Sequence, residues 1–350
     1  MPSETHPAAA RSIPAAYPPP APPAPSGAPL VPEVTLLAPV PEELAFHRLD
    51  RARSRPTRWW RPLAIAAVAA ALYLAMIVMI MVPLVVVVVM NPGLSPAFEM
   101  LERGQVPPFE VADPTGFLVL IVPLILMIPA LLAASRMLGG RGVGLLLSVA
   151  GRIRWGWLGR SLLVALAVYA VQTAITLALA AATGESVEAD ASQPGLGLMV
   201  LLIVLLVPLQ SAAEEYVFRG FLMQAIGTWL KHPLFPILLP IPLFVFGHLY
   251  DVWGLLSVAV FAVAAAWLVW RTGGLESAIV LHAVNNVSAF LLGAFGLADA
   301  NATTGLPIDV VTTAITMVVY AGIIEWMQRR TGLVRTRTVL RPAPVPLPQG

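Results

Sequence analysis

Residues 63–90 read LAIAAVAAALYLAMIVMIMVPLVVVVVM, a run with no charged side chain and no Asn, Gln or His. At ~1.5 Å of rise per residue, a helix of that length exceeds the ~30 Å hydrocarbon core of a bilayer. The run starts too late and runs too long for a cleaved signal peptide, so it is expected to remain as a membrane anchor. Seven further apolar segments follow, at about 116–135, 158–183, 196–225, 234–250, 253–270, 274–297 and 306–327. The expected fold is therefore all-α, a polytopic membrane protein of about eight transmembrane helices over 63–328. The segment 234–250 is the shortest of them, and it carries Pro236, Pro240 and Pro242 just after Pro233. These prolines remove backbone donors and break a helix, which places 233–241 at the interface and starts the true helix at Pro242.

Composition agrees with a membrane location. The chain is 58% hydrophobic and 11% charged, against roughly 25% charged in ordinary soluble domains, and its mean hydropathy is +0.82. A net charge of +2 is too small to suggest nucleic acid as a partner; the arginines sit at span ends, where lipid headgroups are the natural contact. With no cysteine, disulfides, thiolate metal sites and a cysteine nucleophile are excluded together. Residues 1–62 hold 15 of the 34 prolines and read as a disordered cytoplasmic tail; the Arg- and Pro-rich end, 329–350, reads as a second one.

Arginines also orient the spans. Arg51, Arg53, Arg55, Arg58 and Arg61 precede the first, Arg136, Arg141, Arg152, Arg154 and Arg160 follow the second, and Arg329, Arg330, Arg335 and Arg337 follow the last. Glu99, Glu102, Glu110, Asp113, Glu185, Glu188 and Asp190 occupy the loops between. Basic loops stay on the cytoplasmic side, so both termini are expected in the cytosol, with the chain in the plasma (inner) membrane.

Ionisable groups within spans cost ~2.5–3.5 kcal/mol each on insertion scales and are kept where something uses them. Here they gather in three places: Glu214, Glu215 and Arg219; Phe244 and His248; His282 and Asn286. Glu215 and Arg219 are four apart, on one helix face and in the favourable order, so they can neutralise each other. Glu214 is turned about 100° away and is freer to take a proton from water. His282 and Asn286 share a face, and Phe244 lies one turn below His248, against whose ring it can pack. A carboxylate base, two histidines and an amide are groups able to hydrolyse a peptide bond. Convergence of Glu214, His248 and His282 within ~3–7 Å is the expected geometry. Glu276, Asp309, Glu325, Lys231 and His232 lie near span ends and read as interfacial. His-Glu-x-x-His, Gly-x-Gly-Asp and Gly-x-Ser-x-Gly patterns are missing from the sequence.

The three motifs Glu-Glu-x-x-x-Arg, Phe-x-x-x-His and His-x-x-x-Asn, in this order, resemble the CPBP family of CAAX prenyl endopeptidases and bacteriocin-processing or immunity proteins. The resemblance covers about 140–325. It implies an intramembrane endopeptidase acting on a membrane-associated peptide or protein, in which Glu214 activates water. His248, His282 and Asn286 then bind and stabilise the reacting carbonyl, with Glu215, Arg219 and Phe244 in orienting roles. No cofactor is expected; the alternative is Zn2+ on Glu214, His248 and His282, with one open position. The competing class is a non-catalytic immunity scaffold or a transporter that binds through the same polar cluster, although no internal repeat is visible.

Overall fold

A computed structural model describes residues 36–52, 58–91, 100, 103, 109–139, 142–184, 187–299 and 301–345. The Pro-rich stretch 1–35, and Arg53, Arg55, Glu99, Glu102, Arg141 and Glu185 of the charge pattern, lie outside the described residues. The chain divides into two units, 41–340 and a smaller one made of 1–40 with 341–350. The larger unit holds all the helices discussed below.

Among the described residues, seven helices are long and apolar enough to cross a membrane: α1 (Arg61–Met90), α2 (Pro114–Gly139), α3 (Trp155–Ala182), α4 (Leu196–Trp229), α7 (Val252–Thr272), α8 (Glu276–Ala294) and α9 (Pro307–Thr331). The chain is an integral membrane protein of helical, polytopic class. The fifth expected span is corrected: 234–250 is no single helix but two short ones, α5 (Leu234–Leu238) and α6 (Ile241–Val245). Proline chemistry explains the break, since Pro240 and Pro242 cannot donate to the preceding turn. The sequence argument placed the helix start at Pro242, and α6 begins one residue earlier.

Hydrogen bonds define the two ends of the bundle. At one end the Trp229 indole donates to the Trp59 carbonyl, Gln224 donates to Leu145 O, and Leu275 N–H to Leu147 O. At the other, Asn301 bonds Phe109, Asp190 N–H donates to Phe295 O, and Asp251 N–H donates to Thr303 O. The chain leaves α4 at the first end and enters α7 at the second, so the broken α5–α6 pair and the turn after it carry it across. Asp251 starts α7 cleanly by accepting from the N–H groups of Gly254 and Gly305, both at 2.9 Å.

Two elements depart from the expected disordered tails. Strands β1 (Leu36–Ala45) and β2 (Thr336–Val345) form a two-stranded sheet, and a 3-10 turn follows at Phe46–Arg51. The β-branched Thr336, Thr338 and Val339 suit a strand, and Leu44, Phe46 and Leu49 are buried in the main core with residues of α3, α7, α8 and α9. A second core joins α2, α4 and α8 through Phe117, Ile121, Met199 and Ile203, and a third joins α1, α2 and α4 through Ile65, Leu131 and Phe221. Leu163, Leu166, Val171, Leu201 and Val204 point outward, as an apolar solvent allows.

Candidate active site

Helix α4 supplies the carboxylates, and its local geometry is unusual. Pro208 interrupts its hydrogen-bond ladder nearly two turns before Glu214, and Tyr216–Leu222 winds as a π-helix. Insertions of this kind inside helices concentrate at functional positions. Gly220 lies in the π segment because a Cβ there would meet Leu146 O at 3.1 Å.

Glu215 is fully buried. Its Oε1 accepts from Arg219 Nη1 at 2.8 Å and from His282 Nδ1 at 2.9 Å. Since a carboxylate only accepts, the His282 Nδ1 carries a proton and Nε2 is the atom the ring can present. That Nε2 lies 3.7 Å from Glu214 Oε2. Glu214 Oε1 accepts from Gln210 Nε2, whereas Oε2 is buried and receives no hydrogen bond from the described residues. The two carboxylates thus differ as their helical offset predicts: each has an Oε2 without a hydrogen bond among the described residues, but Glu215 is held through Oε1 by Arg219 and His282, whereas the open oxygen of Glu214 lies beside an imidazole and its other oxygen meets only an amide.

Phe244 organises the remaining groups. Its buried ring has the Arg219 guanidinium carbon 4.3 Å above it, and the rings of Phe218 and His248 at 5.0 Å and of His282 at 6.1 Å. Phe261 lies 5.0 Å from His282 on its other contact. His248 is half-buried, and its Nδ1 donates to Phe244 O at 2.9 Å, which leaves Nε2 to face a ligand. Broken helix α6 is what brings His248 back onto the same aromatic ring as His282.

The hydrogen bonds of Asn286 run away from His282. Asn286 donates to Gln210 Oε1 at 3.2 Å, and through Gln210 it is tied to Glu214. Gln210, Asn285, Tyr169 and Phe261 are members of the cluster that motif reading left unassigned. Gln210 was within reach of the sequence, being four residues before Glu214 on the same face. Tyr169 was not, because nothing in α3 marks its register against α8.

Glu276 stands at a span end, as the first residue of α8, but it is 1% exposed and pairs with Arg154, whose Nη2 lies 2.6 Å from Oε2. Glu325 bridges Arg271 and Arg329, and Asp309 accepts from the Leu306 N–H at the start of α9.

Among the described residues no three His, Cys, Asp or Glu side chains are grouped to hold a metal ion. Glu215 and the His282 Nδ1 are spent on each other.

Residues 194–288, which contain all three motifs, match the family of type II CAAX prenyl endopeptidases, Rce1-like. Over that segment the chain is similar to this family of CAAX proteases, in line with its motifs. It is also 30% identical over 143 residues to the uncharacterized protein YyaK of Bacillus subtilis (strain 168), an alignment covering 37% of this chain and 48% of YyaK. The chain therefore spans about half the length of that curated relative. No solved structure matches.

Proposed function

We propose that this chain is an intramembrane endopeptidase that hydrolyses a peptide bond of a membrane-associated protein, of CAAX or bacteriocin type, with water activated by Glu214. One observation carries the reading: Glu214 Oε2 is buried, receives no hydrogen bond from the described residues and lies 3.7 Å from His282 Nε2, whereas Glu215, whose Oε2 also lacks a hydrogen bond among the described residues, is tied through Oε1 to Arg219 and His282. A buried carboxylate oxygen kept open beside an imidazole serves no packing purpose.

In this mechanism Glu214 Oε2 takes a proton from water, and the resulting hydroxide attacks the scissile carbonyl carbon. The carbonyl electron pair moves to oxygen, where the second Nδ2 proton of Asn286 and the Nε2 atoms of His282 and His248, when protonated, stabilise it. Collapse of the tetrahedral adduct breaks the C–N bond, and Glu214 returns its proton to the leaving amine. Arg219 and Phe244 hold Glu215 and the two imidazoles in place. The wall formed by Phe218, Pro236, Ile237, Pro240 and Ile241 beside Arg219 is apolar and suits a hydrophobic substrate side chain.

The test is cleavage of lipidated and unlipidated peptides by purified protein. Glu214→Ala and Glu214→Gln are expected to lose turnover while keeping the wild-type melting profile. Exhaustive chelation is expected to leave wild-type turnover intact; stoichiometric zinc lost together with activity would decide for a metalloenzyme. Normal turnover by Glu214→Gln would remove the mechanism, and a wild-type chain that cleaves nothing would favour the scaffold reading.

A further inference from the structure

Five side chains from three helices form a directed hydrogen-bond chain that ends on Glu214. The Tyr169 hydroxyl of α3 donates to Asn285 Oδ1 of α8 at 2.9 Å. Asn285 Nδ2 donates to Asn286 Oδ1 at 2.9 Å, and Asn286 Nδ2 donates to Gln210 Oε1 of α4 at 3.2 Å. Gln210 Nε2 then donates to Glu214 Oε1. Tyr169, Gln210 and Glu214 are buried, and Asn285 and Asn286 are half-buried.

The polarity of this chain is forced from one end. An ionised carboxylate can only accept, so Gln210 must turn its NH2 toward Glu214 and its carbonyl toward Asn286. Asn286 must then present its NH2 to Gln210 and its carbonyl to Asn285, and Asn285 must present its own carbonyl to a donor. Tyr169 is a hydroxyl, which can supply that proton. Reversing any amide would set two donors or two acceptors face to face in a low-dielectric site, where an unmet polar group costs about 1–3 kcal/mol.

We infer that Gln210 and Tyr169 are positioning residues, which select Glu214 Oε2 as the proton-accepting oxygen and present Asn286 as a donor. This inference rests on the peptidase reading for its effect on rate, but its structural content stands apart from it. With Oε1 held by Gln210, rotation of the carboxylate is blocked, and Oε2 stays beside His282 Nε2. With its Oδ1 occupied by Asn285, Asn286 keeps one Nδ2 proton that Gln210 does not use, and that proton is the one an oxyanion can receive. Gln210 contributes both ends of the link, since it is the single side chain that bonds the base and the oxyanion donor together. Ser211 Oγ, 3.3 Å from Gln210 Oε1, strengthens the same orientation.

Two variants and two readouts test it. Gln210→Leu removes the link, and Tyr169→Phe removes one hydroxyl with almost no change of shape, so it remains informative where the first variant folds poorly. Both are expected to lower kcat with KM within about threefold, Gln210→Leu by about 10- to 100-fold and Tyr169→Phe by less, because misplacement of a reacting group by about 1 Å costs up to about 100-fold. Replacing Tyr169 by His, which restores a donor, is expected to recover part of the loss, which a packing role would not allow. The second readout needs no turnover: the infrared carboxylate stretch of Glu214, identified by subtraction of the Glu214→Gln spectrum, is expected to shift in Gln210→Leu. An unmoved band, or unchanged kcat in both variants of an enzyme that Glu214→Gln inactivates, would overturn the inference. A wild-type chain that cleaves nothing defeats the peptidase reading, and the carboxylate band then decides the anchoring of Glu214 by itself.

Discussion

Glu214 and Glu215 are neighbours in sequence with different tasks, and their substitutions separate those tasks. Glu215 is 0% exposed and its Oε1 receives both Arg219 and His282, so Glu215→Gln leaves a buried guanidinium without its closest countercharge. Breaking a buried pair by removing one partner costs about 3–5 kcal/mol. The expected result is a large fall in the detergent-solubilised melting temperature or in expression. Glu214→Gln removes no ion pair to Arg219 and keeps its shape, so its melting temperature is expected to stay near wild type. Equal destabilisation of the two variants would contradict the division of labour drawn from the geometry.

At the level of elements, the 3-10 turn Phe46–Arg51 is seated on the end of α4, the helix that carries both glutamates. Arg48 Nη1 donates to Gly227 O at 2.6 Å and Arg51 Nη2 to Thr228 O at 3.2 Å, which supplies donors and positive charge to carbonyls that a helix C-terminus leaves unpaired. A Cβ on Gly227 would stand 1.8 Å from His47 O, a backbone atom that cannot swing aside. Gly227→Ala is therefore expected to displace the turn at a cost of about 1–3 kcal/mol, seen as faster proteolysis ahead of α1 and a lower melting temperature. His47 adds a pH dependence to the same contact. Burial pushes its imidazole below the ordinary value, the charges of Arg48 and His232 push the same way, and the bond to Lys231 O opposes them. The unfolded imidazole binds a proton near pH 6.5, so the turn's docking is complete above that pH and weakens as pH falls through the lower folded value. Amide protection against hydrogen exchange in 46–51, relative to the intrinsic rate at each pH, is expected to fall as pH drops below about 6.5, and His47→Gln to flatten that response.

For the whole molecule, the contacts give a topology that can be labelled. The ends of α4, α7 and α9 and the start of α8 lie together with Arg154, whose guanidinium bonds Glu276, Thr272 O and Val334 O. Arg271, Arg329 and Arg330 lie in the last turns of α7 and α9 at this end, whereas Asp190, Asp251 and Asp299 lie in segments of the opposite one. By the charge rule the arginine end is expected to face the cytosol. The absence of native cysteine makes the test clean. Val334→Cys, at an exposed position, is expected to react with a membrane-impermeant thiol reagent from the cytosolic side alone. Ala302→Cys, also exposed, is expected to react from the other side. Labelling of both from one side would remove α9 from the crossings, because α9 is the helix that lies between the two positions.

Membrane class, the long spans and the pairing of Glu215 with Arg219 were legible in the chain, because each depends on short-range physics: apolar length against bilayer thickness, and a four-residue helical offset. The same arithmetic separated Glu214 from Glu215 and identified the prolines that break the helix before His248. The buried pair of Glu276 with Arg154 could not be read, since the two are 122 positions apart and a charge near a span end looks interfacial until its partner is known. Order in β1, β2 and the turn at 46–51 escaped for a similar reason: proline-rich composition argues against a core, but Phe46 and Leu49 find theirs between helices that lie far along the chain. The register of α3 against α8, which sets Tyr169 on Asn285 and so directs the amides toward Glu214, comes from side-chain packing across helices. Periodicity within one helix says which face is buried; which residue of another helix meets it is decided when the bundle closes.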